Sequence, residues 1–398
     1  MSTHSVFPKE ELNQRLLNVR SQMVEANIDG MVITIPENIY YLTELDHWGF
    51  FACHLLVVPR EGEMILVCRA MEKITIENQV KNARFFGHAD NEDPADYIVS
   101  ALSELNLLNG RVGMEKNSLF LTARLAESIQ AKTPKVEWKD NSNLVSALRL
   151  VKSPLEMDYV RKAAKAADAG MLAAINTIRD GASDYEVSAE CCRAMILAGS
   201  EPPGFGPFIR PTSRLGEEHT TWRGEVFGKN EAVFLEIAAA YRKYQAPMGR
   251  LVYVGSAPNG AEKSVQLAID GMKAINSSIK PGAKAGDVYA AWKEVARKGG
   301  LVDDIPAVMA TLSEVMAMLE DMELQPCLAY GTLLGAKRDN AFISHDDDVD
   351  ILVRLPEEDI SERRARQLRD EIIKNLPQDK YRIDYGQQHN LNIHLYNK

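Results

Sequence analysis

The chain has 398 residues, of which 45% are hydrophobic and 26% are charged, and its formal net charge at pH 7 is −10. This length predicts two or three domains, and the acidic balance argues against a general nucleic-acid binder or a protein drawn to anionic membranes. The five cysteines include no CxxC pair, which predicts reduced thiols and no disulfide framework. No run approaches the roughly 18 apolar residues of a membrane span and the N-terminus lacks a signal-peptide core, so we expect a cytoplasmic protein without membrane insertion.

The first 150 residues alternate between helical and strand-like patterns. Apolar residues at helical spacing predict a helix from Lys9 to Asn27, and a short buried strand follows from Met31 to Ile35. The runs Leu55 to Val58 and Met64 to Cys68 predict a hairpin. Further helices and a strand continue the pattern, so residues 1–150 are expected to form an α/β domain.

Histidines are the residues of this region that most readily take part in chemistry. His47, His54 and His88 lie apart from one another and from any acidic or thiol cluster. We therefore expect them to have structural roles, and we expect no catalytic site in this domain.

A second unit, residues 151–301, begins with a strong helix start. Ser153 and Glu156 form a capping box pattern around a proline, and Ser183 opens a second one. The segment Ile178 to Ala189 is similar, without a gap, to Ile279 to Ala290. Two such copies predict a duplicated α/β unit, with chance similarity between two helix–turn–helix segments as the alternative.

Between the two copies lie the residues of this unit that could carry chemistry. The runs Val233 to Ala238 and Arg250 to Val254 predict a hairpin, with Glu236 on its first strand and His219 in the loop before it. A histidine can transfer protons and a carboxylate can assist. The alternatives are a buried, paired glutamate and an ordinary loop histidine.

Residues from about 10 to 300 resemble the creatinase, prolidase and aminopeptidase P family, closest to creatinase or ectoine hydrolase. The motifs that carry the resemblance are Pro36 to Thr43, Leu148 to Glu156, the His219 loop, Phe234 to Ala238, and Ile279 to Ala290. The resemblance implies an N-terminal α/β domain followed by a duplicated "pita-bread" α/β domain. It also implies that His219 handles the substrate or a proton.

The chain departs from the pattern of that family at two points. In its metal-dependent members the first hairpin carries two aspartates, whereas Glu236 and Pro247 stand at those positions here. We therefore expect no metal ion at this creatinase-like site. The family's later strands, with a histidine and two glutamates, have no match after Gly300, so we expect an incomplete pita-bread domain whose hydrolase activity is lost.

The last region, residues 302–398, contains a dense acidic run. Asp346, Asp348 and Asp350 lead into the apolar strand Val349 to Val353, where alternation directs Asp348 and Asp350 to one side. Neighbouring carboxylates repel each other unless a cation joins them, and hard oxygen ligands suit magnesium. The alternative is a solvated acidic turn before an ordinary strand.

Upstream of the acidic run lie groups suited to a phosphate. Gly331 lets the backbone approach a phosphate closely, Thr332 adds a hydroxyl, and Lys337 and Arg338 can neutralise charge. Together with the acidic run they are the parts of a metal-assisted phosphoryl or nucleotidyl transfer site.

This region resembles the LicD family of phosphocholine and sugar-phosphate transferases, whose fold is nucleotidyltransferase-like. The resemblance implies that Asp348 and Asp350 hold Mg²⁺ and that Asp346 assists. It ends at Lys398, short of a complete domain, so we expect a partial nucleotidyltransferase-like domain.

Three functions follow from these patterns. The main prediction is a magnesium-dependent transferase that moves a phosphocholine-like group from a nucleotide-linked donor to a glycan acceptor. The first alternative is a creatinase-like C–N hydrolase that uses His219 and Glu236. The second is a non-catalytic fusion in which the first 300 residues act as a scaffold, with a homodimer as a possible assembly.

Overall fold

A computed structural model describes residues 6–300, 305–322, 324–328, 351–354, 362–376, 381–384 and 394–397. The chain divides into two compact units, Met1–Pro258 and Asn259–Lys398. The predicted mixed α/β class is confirmed in both units. The domain boundaries predicted near residues 150 and 301 stay predictions.

The first part of unit one is a six-stranded sheet of order β4-β3-β2-β1-β5-β6. Its strands are β1 (Gly30–Ile33), β2 (Leu55–Pro59), β3 (Met64–Arg69), β4 (Ala83–His88), β5 (Arg111–Met114) and β6 (Glu137–Asp140). Its helices are α1 (Lys9–Glu25), α2 (Pro36–Thr43), α3 (Lys73–Gln79), α4 (Pro94–Glu104), α5 (Ala123–Lys132) and α6 (Leu144–Leu148). The predicted β2–β3 hairpin is confirmed, because these two strands pair antiparallel.

Helices cover both faces of this sheet, and the strands at its centre are therefore buried throughout. Met31 and Ile33 of β1 pack in one core with residues of α1 and α2, whereas Val32 packs in a second core with residues of α4 and α5. Successive side chains of a strand point to opposite faces, so one strand supplies both cores.

Two expectations for this domain are corrected. The strand expected to reach Ile35 ends at Ile33, because Pro36 is the first residue of α2 and proline favours that position. His47 and His54 are not isolated: their rings lie 4.7 Å apart, and His47 Nε2 is 3.3 Å from His54 Nδ1. Both are on the loop that joins α2 to β2.

The second part of unit one begins at residue 154. Its elements are α7 (Pro154–Thr177), α8 (Asp184–Leu197), β7 (Phe208–Pro211), β8 (Ala232–Tyr241) and β9 (Tyr244–Tyr253). The capping box at Ser153 is confirmed, because its hydroxyl accepts from the Glu156 amide while the Glu156 carboxylate accepts from the Ser153 amide. The strands form an antiparallel sheet of order β7-β8-β9, so the predicted hairpin is confirmed and is longer than expected.

The turn between β8 and β9 is held against the N-terminal part of the same unit. Tyr244 donates a hydrogen bond of 2.6 Å to the buried carboxylate of Glu156, which also pairs with Arg15 of α1 at 3.6 Å. Lys243 pairs with Asp46 at 2.7 Å. These contacts fix the orientation of the hairpin that carries Glu236.

Unit two contains a helix pair and a small helical core. Its elements are α9 (Ala261–Ser278), α10 (Ala285–Lys298), α11 (Ile305–Asp321), β10 (Gln325–Leu328), β11 (Ile351–Arg354), α12 (Glu362–Asn375), β12 (Tyr381–Asp384) and β13 (His394–Asn397). Val315 and Leu319 of α11 pack with Leu368 and Ile372 of α12. Strands β10 and β11 pair antiparallel, as do β12 and β13.

The helical part of the internal repeat has the same local structure in both copies. Gly181 lies between α7 and α8 and has a φ of +83°, and Gly282 lies at the equivalent position between α9 and α10 with a φ of +86°. Glycine adopts this left-handed conformation without the Cβ clash of other residues. Both copies are therefore helix–glycine turn–helix segments, and the duplication itself stays a prediction.

None of the helices in the described parts of the chain combines the length and the apolar character needed to cross a membrane.

Candidate functional site

The sheet β7-β8-β9 has one face in the core and one face away from it. Val233, Leu235 and Ile237 of β8 are buried in the core formed with α7 and α8. The alternating residues Phe234 and Glu236 point to the opposite face, which we call the open face. This face is the candidate site.

Glu236 stands in the middle of β8, half-buried, with neighbours on both sides. It is opposite Phe208 of β7 and opposite Gly249 of β9 in the strand registers. Within the residues that the structure describes, its carboxylate has neither a hydrogen bond nor an ion pair. Among those residues Glu236 is neither fully buried nor paired, which differs from the alternative of a buried, paired glutamate.

His219 is brought to the same side of the sheet by an aromatic contact. Its ring centroid lies 5.5 Å from that of Phe208. Phe208 is itself stacked on Phe205, with centroids 5.2 Å apart and planes within 3°. Directly opposite residues of paired strands share a face, so Phe208 and Glu236 lie on the same face of the sheet. His219 is next to that face because it contacts Phe208.

Two buried arginines, Arg210 and Arg214, contact residues of this region. Arg210 of β7 is buried, and its guanidinium lies over the ring of Phe234 at 4.6 Å. Arg214 is also buried and bonds the carboxylate of Glu217, which lowers the pKa of that carboxyl. The burial of these two arginines is not predicted from the sequence, because isolated arginines in a polar loop usually indicate a solvated surface.

The proline predicted at the second ligand position of the hairpin lies on the edge strand. Pro247 is opposite Ala238, two positions along β8 from Glu236. An edge strand tolerates proline because one side of it needs no ladder hydrogen bonds. Proline has no side-chain donor, so Glu236 has no partner ligand at this position.

The described parts of the chain contain no group of three or more His, Cys, Asp or Glu side chains able to hold a metal ion. One carboxylate without a second acidic or imidazole ligand is a poor fit to a divalent ion. Within the described ranges, Glu236 therefore has no partner with which to hold a divalent ion.

The residues of the predicted transferase site lie outside the described residues. They are Gly331, Thr332, Lys337, Arg338, Asp346, Asp348 and Asp350.

Three family models match the chain in succession. Residues 15–151 match the creatinase/prolidase N-terminal domain, and residues 158–322 match metallopeptidase family M24. Residues 323–396 match the LicD/FKTN/FKRP nucleotidyltransferase domain. The M24 description implies a divalent metal ion, which conflicts with our expectation of none at this site.

Curated relatives match the greater part of the chain. The ectoine hydrolase of Halomonas elongata is 31% identical over 74% of this chain and 78% of its own length. The Xaa-Pro dipeptidase of Pyrococcus furiosus is 24% identical over 73% of this chain and 79% of its own length.

Solved structures match over the same part of the chain. A dipeptidase from Pyrococcus horikoshii OT3 superposes with a TM-score of 0.63 at 22% identity, covering 72% of this chain and 78% of that one. A prolidase from Thermococcus sibiricus gives a TM-score of 0.65 at 19% identity, with 72% and 78% covered. The pita-bread fold expected from the resemblance is confirmed.

These comparisons overturn the main functional prediction. The LicD-type transferase interpretation is wrong as the function of the chain, because the relatives that match nearly three-quarters of it are a hydrolase and a dipeptidase. The comparisons favour the hydrolase alternative. The chain belongs to metallopeptidase family M24, with an N-terminal domain of the creatinase/prolidase type.

Proposed function

We propose that this protein hydrolyses a C–N bond of a small amide or amidine substrate on the open face of β7-β8-β9, using His219 and Glu236. The observation that carries the proposal is the half-buried carboxylate of Glu236, which no described residue pairs and which stands opposite Phe208, against whose ring His219 packs. Unpaired charge on a partly buried face has a desolvation cost, which is common where a ligand supplies the missing partner.

The two groups have complementary tasks in such a reaction. A neutral imidazole of His219 takes a proton from water as the water oxygen bonds to the substrate carbon. It returns the proton to the nitrogen as the C–N bond breaks. The carboxylate of Glu236 attracts the positive charge of an amidine, or the charge that develops as the leaving nitrogen is protonated.

The relatives support this class of substrate. One is named an ectoine hydrolase and another an Xaa-Pro dipeptidase. Both names describe hydrolysis of a C–N bond, one in a small cyclic amidine and one in a dipeptide. The proposal extends that shared bond type to this chain.

Turnover of ectoine and of an Xaa-Pro dipeptide by the full chain tests the proposal. We expect one of them to be hydrolysed, with the rate lowered at least about 100-fold in His219→Ala, the usual scale for loss of a general acid–base group. Glu262→Gln, a change at an exposed carboxylate of α9, is the control and should leave the rate unchanged. Turnover of neither substrate, or turnover that survives His219→Ala, would contradict the proposal.

A further inference from the structure

The loop that carries His219 runs from Thr212 to Gly224, between β7 and β8. His219 is exposed in it and has a φ of +50°, a left-handed conformation that residues with a Cβ rarely adopt. An exposed ring in this conformation needs support from the surrounding backbone if it is to keep one position. Two buried arginines provide that support.

Arg210 holds the loop on the N-terminal side of His219. Its side chain is 4% exposed, and its Nη1 donates to the carbonyl oxygen of Glu217 at 2.6 Å. The same nitrogen pairs with the carboxylate of Glu218 at 3.0 Å. Because its guanidinium also lies over Phe234, on the open face, Arg210 connects the loop to the sheet that carries Glu236.

Arg214 holds the loop on both sides of His219. Its side chain is 3% exposed, and its Nη2 donates to the carbonyl oxygen of Thr221 at 3.0 Å and to the hydroxyl of Thr220. Its Nε bonds the carboxylate of Glu217 at 3.0 Å. The residues on both sides of His219 are thus fixed by one buried guanidinium or the other.

Burial of two guanidinium groups has a high desolvation cost, which is offset only by good partners. Most of the partners here are backbone carbonyls and side chains of one short segment, Glu217 to Thr221, while the Leu215 carbonyl at 3.5 Å and the Glu225 carboxylate at 3.7 Å lie outside it. An arginine that only stabilised the core would not need its partners to lie next to His219. We propose that Arg210 and Arg214 form a two-arginine clamp of positioning residues that holds the His219 imidazole beside Phe208. The clamp's effect on turnover rests on the function proposed above.

Conservative variants separate geometry from charge. Arg210→Lys and Arg214→Lys keep the positive charge but lose the planar fork that bonds two groups at once. A displacement of about 1 Å in a reacting group can lower a rate by about 100-fold. We expect kcat to fall by about 10- to 100-fold with KM changed by less than about threefold, because the substrate-facing groups are retained.

A second readout does not depend on activity. We expect hydrogen exchange of the amides from Glu217 to Thr221 to become at least about tenfold faster in both variants, with exchange in β8 unchanged. Arg179→Lys is the matched control, since Arg179 also bonds a backbone carbonyl and a glutamate but is exposed. It should alter neither kcat nor exchange in the His219 loop.

A substitution at the protein surface still tests the clamp if a variant at a buried arginine does not fold. Glu218→Ala removes the exposed partner of Arg210 at the protein surface, and it should also accelerate exchange in the loop. If the wild-type chain hydrolyses nothing, the function proposed above fails, whereas the exchange data still decide whether the clamp exists. Loop exchange and kcat that stay at wild-type values in all three variants would overturn the clamp.

Discussion

The imidazole of His219 packs against the phenyl ring of Phe208, with their centroids 5.5 Å apart. Phe208 faces Glu236 across the β7–β8 ladder, so one aromatic ring joins the two groups proposed to react. The aromatic contact fixes the position of the imidazole, and the strand register fixes the position of the carboxylate. Loss of the ring should therefore affect turnover even though a phenyl group has no acid–base chemistry.

Phe208→Ala tests this link. We expect kcat/KM to fall by about tenfold or more, because the imidazole loses its packing surface and the pair loses its geometry. Phe51→Ala is the control, since that ring is 76% exposed on the N-terminal domain. Equal kcat/KM values for Phe208→Ala and the wild type would show that the ring does not position His219.

The hydrogen bond from Tyr244 to Glu156 should contribute to stability. Glu156 is 3% exposed, so Tyr244→Phe leaves a buried carboxylate with one donor fewer. Hydrogen bonds to charged groups contribute about 1.5–3 kcal/mol, and we expect the free energy of unfolding in urea to fall by about that amount. Tyr289→Phe, at a tyrosine that is 47% exposed, should change it by less than about 0.5 kcal/mol. Similar losses in both variants would contradict the assignment.

The buried histidine pair predicts a loss of stability in acid. Burial lowers the pKa of His54 to about 3 and also lowers the pKa of His47. The unfolded chain binds a proton at each histidine below about pH 6.5, whereas the folded chain does so only at lower pH. Stability should therefore fall as the pH decreases from about 6.5, and the contribution of His54 should level off near its folded pKa.

His54→Gln isolates this contribution. Between about pH 6 and pH 4 the free energy of unfolding of the wild type should fall more steeply than that of the variant, by up to about 1.4 kcal/mol per pH unit. Parallel curves for His54→Gln and the wild type would mean that His54 is protonated in the folded chain.

Gly170 lies where α7 packs tightly against α8. A Cβ at this position would lie 2.4 Å from Met195 Cγ and 3.3 Å from the carbonyl oxygen of Cys191. Alanine favours a helix by about 1 kcal/mol over glycine, but overpacking of this size costs about 1–3 kcal/mol. We expect Gly170→Ala to lower the free energy of unfolding, and the loss to be smaller when it is added to Met195→Ala. A stabilised Gly170→Ala protein would contradict the close packing.

Much of the fold follows from local patterns in the sequence. Ser153 and Glu156 predict the start of α7, since a capping box depends on residues three positions apart. The apolar run Val233 to Ala238 predicts the first strand of the hairpin, because such a pattern is also local in the sequence. The repeat predicts the two helix pairs, because Gly181 and Gly282 need the same backbone conformation.

The contacts that build the site depend on residues distant in the sequence and could not be predicted. Strand β7 has four residues without alternation, so nothing local places Phe208 opposite Glu236. Arg210 and Arg214 have the composition of a surface loop, and only tertiary packing makes them buried. His47 and His54 lie in a loop, where no helical or strand period determines which side chains meet, so their contact could not be predicted.

The most direct test of the account is a double-mutant cycle on His219 and Glu236, with kcat/KM measured for a substrate that the wild-type chain hydrolyses. Residues that act as one unit have strongly non-additive effects. The account predicts that His219→Ala and Glu236→Gln each lower kcat/KM by about 100-fold or more, and that the double variant is within about tenfold of the slower single variant. Additive losses, or a Glu236→Gln protein as active as the wild type, would contradict a shared site on the open face.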